Sequence, residues 1–278
     1  MPSFKITLAY DGTDYAGWQR QASGATIQGL LEDALRGLDE RDVTVTGAGR
    51  TDAGVHALGQ VAAFAIERML TADSVVRALN ARLPDAVRVL AAAEVPPSFN
   101  PRFGARAKTY HYRIWNGDVI SPFERRYAWH LAGALNVDAM REAARLLEGT
   151  HDFAAFQAAG SETKTTVREI LVSRIADCGL RIPDRGLRSA ECGFPSGSAF
   201  RVPDSALLEY EITGTGFLRH MVRAIVGSLV EIGRGRQPVG WIPHVVESRD
   251  RAAAGPTAPA HGLILMRVEY GDSLAAEP

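Results

Sequence analysis

Apolar and polar residues alternate in several short stretches of the chain, a period of two that is typical of half-buried β-strands. The first such stretch runs from Phe4 to Ala9 and ends at the turn-forming residues 11–14. Stretches of the same character predict further strands at 43–46, 60–66, 87–92, 108–115, 165–175, 206–212 and 263–270.

Other stretches repeat their apolar residues with the period of an α-helix. The clearest follows Thr26, a plausible N-cap, with apolar residues at Ile27, Leu30, Leu31, Ala34, Leu35 and Leu38. A second helix around Val75 and Leu79 is ended by Pro84. Further helices are predicted at 138–147, 217–232 and 241–247, so the first hundred residues read as βαββαβ and both halves mix helices with strands.

Length and composition indicate a globular protein of two domains. The chain has 278 residues, 46% hydrophobic and 23% charged, which is enough apolar material for a substantial core. The N-terminus lacks the pattern of a secretory signal, and the most apolar predicted helix contains Arg219, His220 and Arg223. A cytoplasmic protein without a membrane segment is therefore expected.

Cysteine usage and net charge narrow the choice of ligands. Cys178 and Cys192 are the only cysteines and have no CxxC spacing, so we expect no metal site; two reduced thiols are the simplest interpretation, and a disulfide is the alternative. The formal net charge is −1. A polyanionic partner would therefore require local clusters of Lys and Arg.

The stretch from Gly47 to Ala57, GAGRTDAGVHA, has the strongest chemical character. Its three glycines allow a tight turn and a close approach of the backbone to a ligand. It has no Lys for a Walker A loop, and its glycine spacing does not fit a dinucleotide-binding loop. On the residues alone, it could equally be a surface turn with a solvated Asp–Arg pair.

Cations and aromatic residues alternate around residue 108. Arg102, Arg106, Lys108 and Arg113 lie among Phe103, Tyr110 and Tyr112, a combination that suits RNA because cations bind phosphates while rings stack on bases. Arg20, Arg50 and His56 are candidates to extend this patch. The alternatives are a solvated basic strand edge and tyrosines that only pack in the core.

Several segments resemble one family. GRTDAGVHA at 49–57 with the following Gly59-Gln60-Val61 is similar to the signature loop of TruA-type tRNA pseudouridine synthases. The segments YDGTDYAGWQR at 10–20, KTYHY at 108–112, GTHDF at 149–153, FLRHMVR at 217–223 and GLIL at 262–265 also resemble that family. Together they extend over nearly the whole chain.

The resemblance implies that Asp52 is the catalytic carboxylate and that no cofactor is needed, because the reaction moves a uracil from N1 to C5 without external energy. Asp52 could attack C1′, add to C6 or remove the 2′ proton, and the sequence leaves these paths open. Arg50 and Arg223 are the expected supporting cations. Arg223 could instead belong to a solvated stripe with Arg219.

The resemblance also implies the remaining features of the site and its substrate. Tyr110 would stack on the target uracil, and Leu263 would pack against it. The substrate would be the anticodon stem-loop of tRNA, at uridines 38, 39 and 40, and the protein a homodimer. The implied fold is α+β, with domains 1–105 and 106–278 whose antiparallel sheets meet at a central active-site cleft. A synthase for other RNA sites and a non-catalytic RNA-binding module are the competing hypotheses.

Overall fold

The structure is a computed structural model in which residues 1–160, 163–177 and 207–271 are described; Cys178 and Cys192, and with them the choice between two thiols and a disulfide, lie outside these ranges. The strands are β1 (Ser3–Tyr10), β2 (Thr46–Gly47), β3 (His56–Ala65), β4 (Val87–Val95), β5 (Ala107–Asn116), β6 (Trp129–Leu131), β7 (Gly149–Asp152), β8 (Val167–Asp177), β9 (Leu207–Gly214) and β10 (Leu263–Glu269). The helices are α1 (Ile27–Asp39), α2 (Ala72–Asn80), α3 (Val137–Arg145), α4 (Met221–Gly233) and α5 (Trp241–Ser248).

These strands form one sheet in the order β4-β1-β3-β10-β5-β9-β8-β7, with β2 added to β3 and β6 to β5. β10 is parallel to β3 and antiparallel to β5. The predicted α+β class is confirmed. The strands of the two halves do not form separate sheets that meet, because β10 is hydrogen-bonded to both halves and makes the sheet continuous. The domain boundary at residue 105 stays a prediction.

One row of cross-strand partners shows how the sheet orients the two halves. Tyr10 pairs with Ala57, Ala57 with Leu265, Leu265 with Tyr110, and Tyr110 with Ile212. Paired residues point to the same face of a sheet, and all five are buried in one hydrophobic cluster with residues of α1 to α5. The helices of both halves therefore cover the same face, on which Tyr10 and Tyr110 both lie.

Local sequence signals account for most element ends. Thr26 caps α1 as predicted, since its side chain accepts a hydrogen bond from the amide of Gly29. α4 begins at Met221, four residues after the predicted start, because His220 has a left-handed backbone with φ of 62° that interrupts helical geometry. The strand predicted at 43–46 shortens to β2, and β6 and β7 were not predicted.

Within the described residues, no helix is long and apolar enough to cross a membrane.

Candidate active site

The glycine-rich loop that contains Asp52 connects β2 to β3. The amide of Val55 donates to the carbonyl of Asp52 at 3.1 Å, and Gly54 has φ of +76°, so residues 52–55 form a tight turn that favours glycine at its third position. Gly17 packs closely against the loop: a Cβ there would lie 2.7 Å from the carbonyl oxygen of Thr51. Glycine at these positions thus fixes where the Asp52 side chain emerges.

Asp52 has two cationic or ionisable partners from the other half of the chain. Arg223 Nη1 lies 3.1 Å and His220 Nε2 3.5 Å from the same atom, Asp52 Oδ2. Arg223 is held in place because its Nε donates to the carbonyl of Ala258 at 2.7 Å. The carboxylate remains 28% exposed. It can therefore reach a substrate while the Arg223 charge stabilises its ionised form.

Of the two cations predicted to support Asp52, the structure places only Arg223 beside it. Arg50, two residues before Asp52, is exposed and is not among the partners of the carboxylate in the described part of the chain. A role for Arg50 in contacting RNA stays a prediction.

Tyr110 lies on β5, on the helix-covered face of the sheet near Asp52. Its ring packs edge-on against Phe217, with centroids 5.1 Å apart and an interplanar angle of 82°. Burial raises the pKa of its hydroxyl well above the ordinary value of 10, and the nearby Tyr10 and Asp52 add to this rise. The hydroxyl is therefore protonated near neutral pH and can donate a hydrogen bond. Leu263 is buried opposite Tyr112, two residues along from Tyr110 on the same face.

Polar contacts from neighbouring strands hold the glycine-rich loop in place. The sequence did not indicate these contacts. The Tyr10 hydroxyl is 2.8 Å from Thr51 Oγ1, and Gln60 Nε2 donates to the carbonyl of Gly49 at 3.0 Å. Lys108 Nζ donates to the carbonyl of Ala48 at 2.7 Å. Burial, with a contribution from Arg102, lowers the pKa of the Lys108 ammonium to about 8. Lys108 thus holds the loop, in addition to any contact with phosphate.

The remaining residues of the predicted basic patch are in different environments. Arg102 and Arg106 are exposed, and the Arg102 guanidinium lies 5.6 Å from the ring centroid of the exposed Phe103. Arg20 Nη1 lies 3.1 Å from Glu32 Oε2 and 3.3 Å from Asp33 Oδ1, so the charge of Arg20 is already paired with two carboxylates. Only Arg102 and Arg106 of these three keep a charge that is not paired with a carboxylate in the described structure.

Arg113 and His56 have structural contacts. Arg113 forms an ion pair of 2.8 Å with Glu124. His56 is buried: its Nδ1 accepts a hydrogen bond from the amide of Gly12 at 3.0 Å, and its Nε2 is 3.1 Å from the carbonyl of Arg126. Because burial also lowers the pKa of His56, a neutral imidazole that links two segments fits this environment better than a phosphate contact.

His220 is the residue of the site that sequence reasoning missed. The segment FLRHMVR resembles the family, but the role predicted within it was that of Arg223. The available signal was spacing: His220 is three residues before Arg223, about one helical turn, so both side chains can face the same ligand.

No group of three or more His, Cys, Asp or Glu side chains suited to a metal occurs among the described residues.

Comparison with known proteins gives a consistent result over the whole chain. A family model described as tRNA pseudouridine synthase matches residues 6–104 and 143–271. The tRNA pseudouridine synthase A of Myxococcus xanthus is 44% identical over 272 residues, which cover 98% of this chain and 93% of that protein. The protein of the same name from Geobacter sulfurreducens is 42% identical over 270 residues, covering 97% of this chain and all of its own length. The chain therefore belongs to the tRNA pseudouridine synthase family.

Proposed function

We propose that this protein isomerises uridine to pseudouridine at positions 38, 39 and 40 of the tRNA anticodon stem-loop, with Asp52 as the catalytic carboxylate. The observation that carries the proposal is the ion pair between Asp52 and Arg223, 171 residues apart in the chain, with Asp52 close enough to Tyr110 to act on its hydroxyl electrostatically. The relatives named tRNA pseudouridine synthase A support the reaction and the substrate class.

The reaction is an internal rearrangement of the uridine. The N1–C1′ bond breaks, the C5–C1′ bond forms, C5 loses a proton and N1 gains one. An ionised carboxylate can start this sequence at C1′, at C6 or at the 2′ proton. In each case the Arg223 guanidinium pairs with the carboxylate, while the Tyr110 ring provides a flat surface for the uracil and its hydroxyl a donor.

Access of a uridine to Asp52 requires that the base leave its stack in the anticodon stem. The exposed Arg102 and Arg106, with Phe103 beside them, are suited to hold the RNA backbone during this step.

We further propose that the protein acts as a homodimer in the cytoplasm, where its tRNA substrate is found. Multi-angle light scattering of the active protein at assay concentration tests the dimer, and an active monomer would contradict it.

The central test replaces Asp52 with asparagine, which keeps the size of the side chain but removes its charge. We expect tritium release from tRNA labelled at C5 of uridine to fall about a thousandfold. Filter binding of the same tRNA should be equal or slightly tighter, because phosphate contacts dominate affinity and one negative charge is lost. Asp14→Asn, at an exposed carboxylate on the neighbouring turn, is the matched control and should keep both properties.

Substrate variants separate the proposed positions from the competing hypotheses. Transcripts in which uridines 38, 39 and 40 are replaced by cytidine should release no tritium, although they retain uridines elsewhere. Release from these transcripts that requires Asp52 would indicate a synthase for other RNA sites. Tight binding without release from any tRNA would identify a non-catalytic RNA-binding module.

A further inference from the structure

His220 has a backbone conformation that its helix does not require. The residue precedes α4 with φ of 62° and ψ of 2°, in the left-handed region where glycine and asparagine are favoured. Its side chain makes no capping hydrogen bond to the helix. A serine or aspartate in extended backbone would begin this helix with a cap and without strain. The conformation therefore has another use, because strain of this kind persists where the surrounding structure fixes a side chain for function.

The conformation turns the imidazole toward Asp52. His220 Nε2 is 3.5 Å from Asp52 Oδ2, the same atom that Arg223 Nη1 contacts at 3.1 Å. Among the described residues, no hydrogen bond reaches the other oxygen, Oδ1. A guanidinium that donates at 3.1 Å and an imidazole nitrogen at 3.5 Å both face the same oxygen, which favours one orientation of the carboxylate and leaves the other oxygen for a substrate.

We propose that His220 is a positioning residue that, together with Arg223, holds Oδ2 of Asp52 so that Oδ1 is presented to the uridine. This inference rests on the catalytic role proposed above for Asp52. His220 acts through that carboxylate and takes no part itself in breaking or forming bonds of the uridine.

The charge state of His220 follows from the groups around it. Asp52 faces it from the glycine-rich loop, Arg219 and Arg223 from the start of α4, and Arg251 from the segment after α5. Burial and the three arginines lower the pKa of the imidazole, against the opposing effect of Asp52. A neutral imidazole with its proton on Nε2 turns a polar N–H toward Oδ2, 3.5 Å away, without adding a second full charge. Protonation at lower pH places another cation on the carboxylate and reduces its reactivity toward the uridine.

Two substitutions separate positioning from a structural role. His220→Gly removes the donor and is well suited to the left-handed backbone. We expect its kcat to fall about tenfold, as for loss of one polar contact to a charged group, with tRNA affinity unchanged and Tm within about 3 °C of wild type. His220→Gln keeps an amide donor at a similar distance but does not titrate. We expect this variant to retain most of the wild-type kcat at pH 7.5. Its kcat should fall less toward low pH than that of wild type, because the contribution of His220 protonation to the acid limb is gone.

The pH profile of kcat between pH 5 and pH 8 is the deciding measurement, because a residue with a structural role alone would lower kcat equally at every pH. An acid limb in His220→Gln identical to that of wild type would overturn the proposal, as would wild-type kcat in His220→Gly. Should the glycine variant fail to fold, the glutamine profile still decides. Asp52→Asn is measured in parallel. Activity in that variant would contradict the proposed function itself. An inactive Asp52→Asn together with wild-type kcat in His220→Gly would contradict this inference alone.

Discussion

Lys108 provides a test of the structure that does not depend on catalysis. Its ammonium is half-buried beneath the glycine-rich loop, and burial lowers its pKa from 10.5 to about 8. Between these two values the unfolded chain binds a proton that the folded protein has released. The free energy of unfolding therefore rises with pH across this window, and the stabilisation is absent below pH 8.

The expected size follows from the two pKa values. Going from pH 7 to pH 10, release of the Lys108 proton stabilises the folded protein by about 2.5 kcal/mol. The carbonyl of Ala48 accepts more strongly from an ammonium than from an amine, which reduces this gain. Lys108→Met fills similar space without a charge, so its stability lacks this contribution. Between pH 7 and pH 10, the free energy of unfolding of the wild type should therefore rise by about 1–2.5 kcal/mol more than that of Lys108→Met.

Urea unfolding followed by tryptophan fluorescence, at pH 7, 8, 9 and 10, measures this difference directly. Taking the difference between wild type and variant removes the contributions of the tyrosines, which both proteins share. Lys164→Met, at an exposed lysine, is the matched control for loss of an ammonium. A wild-type-minus-variant difference that does not grow with pH beyond that of the control would refute the assignment of a desolvated ammonium at Lys108.

Two further substitutions test the reacting side chains. Tyr110→Phe should keep tRNA affinity and lower turnover about a hundredfold in the tritium-release assay, because the raised pKa of the hydroxyl makes it a donor that phenylalanine lacks; unchanged turnover would leave only ring stacking, which Tyr110→Ala tests. Arg223→Lys should lower kcat about tenfold with little change in Tm, because an ammonium cannot serve both Asp52 and the carbonyl of Ala258. Arg234→Ala, at the end of the same helix, is its control, and equal kcat in the two variants would remove Arg223 from the site.

The sequence predicted the local elements well because their signals are local. The apolar spacing of α1 and its cap Thr26 are properties of adjacent residues, and the structure has both. The late start of α4 could not be predicted from apolar spacing, because that spacing does not show that the backbone of His220 is left-handed. Short strands such as β6 and β7 contain too few residues for a periodic pattern.

The candidate site was predicted where a motif marked it and missed where only folding could reveal it. Asp52 and Tyr110 came from segments that resemble the family, and the structure brings the Asp52 carboxylate near the Tyr110 hydroxyl. Arg50 shares a motif with Asp52 but is exposed, because adjacent residues in a tight loop point in different directions. Lys108 looked like a phosphate ligand from its charge alone; its hydrogen bond to Ala48 depends on the packing of β5 beneath the loop.

The position of β10 explains why the site needs nearly the whole chain. β3, which follows the Asp52 loop, and β5, which carries Tyr110, are not hydrogen-bonded to each other; β10 lies between them, with Leu265 paired to Ala57 on one side and to Tyr110 on the other. The separation of Asp52 from Tyr110 is therefore set by a strand that is the last described element of the chain. Arg223 reaches Asp52 from a helix that packs on this same sheet. Because these contacts are long-range in sequence, we expect a fragment that ends before β10 to lack the strand that spaces Asp52 from Tyr110.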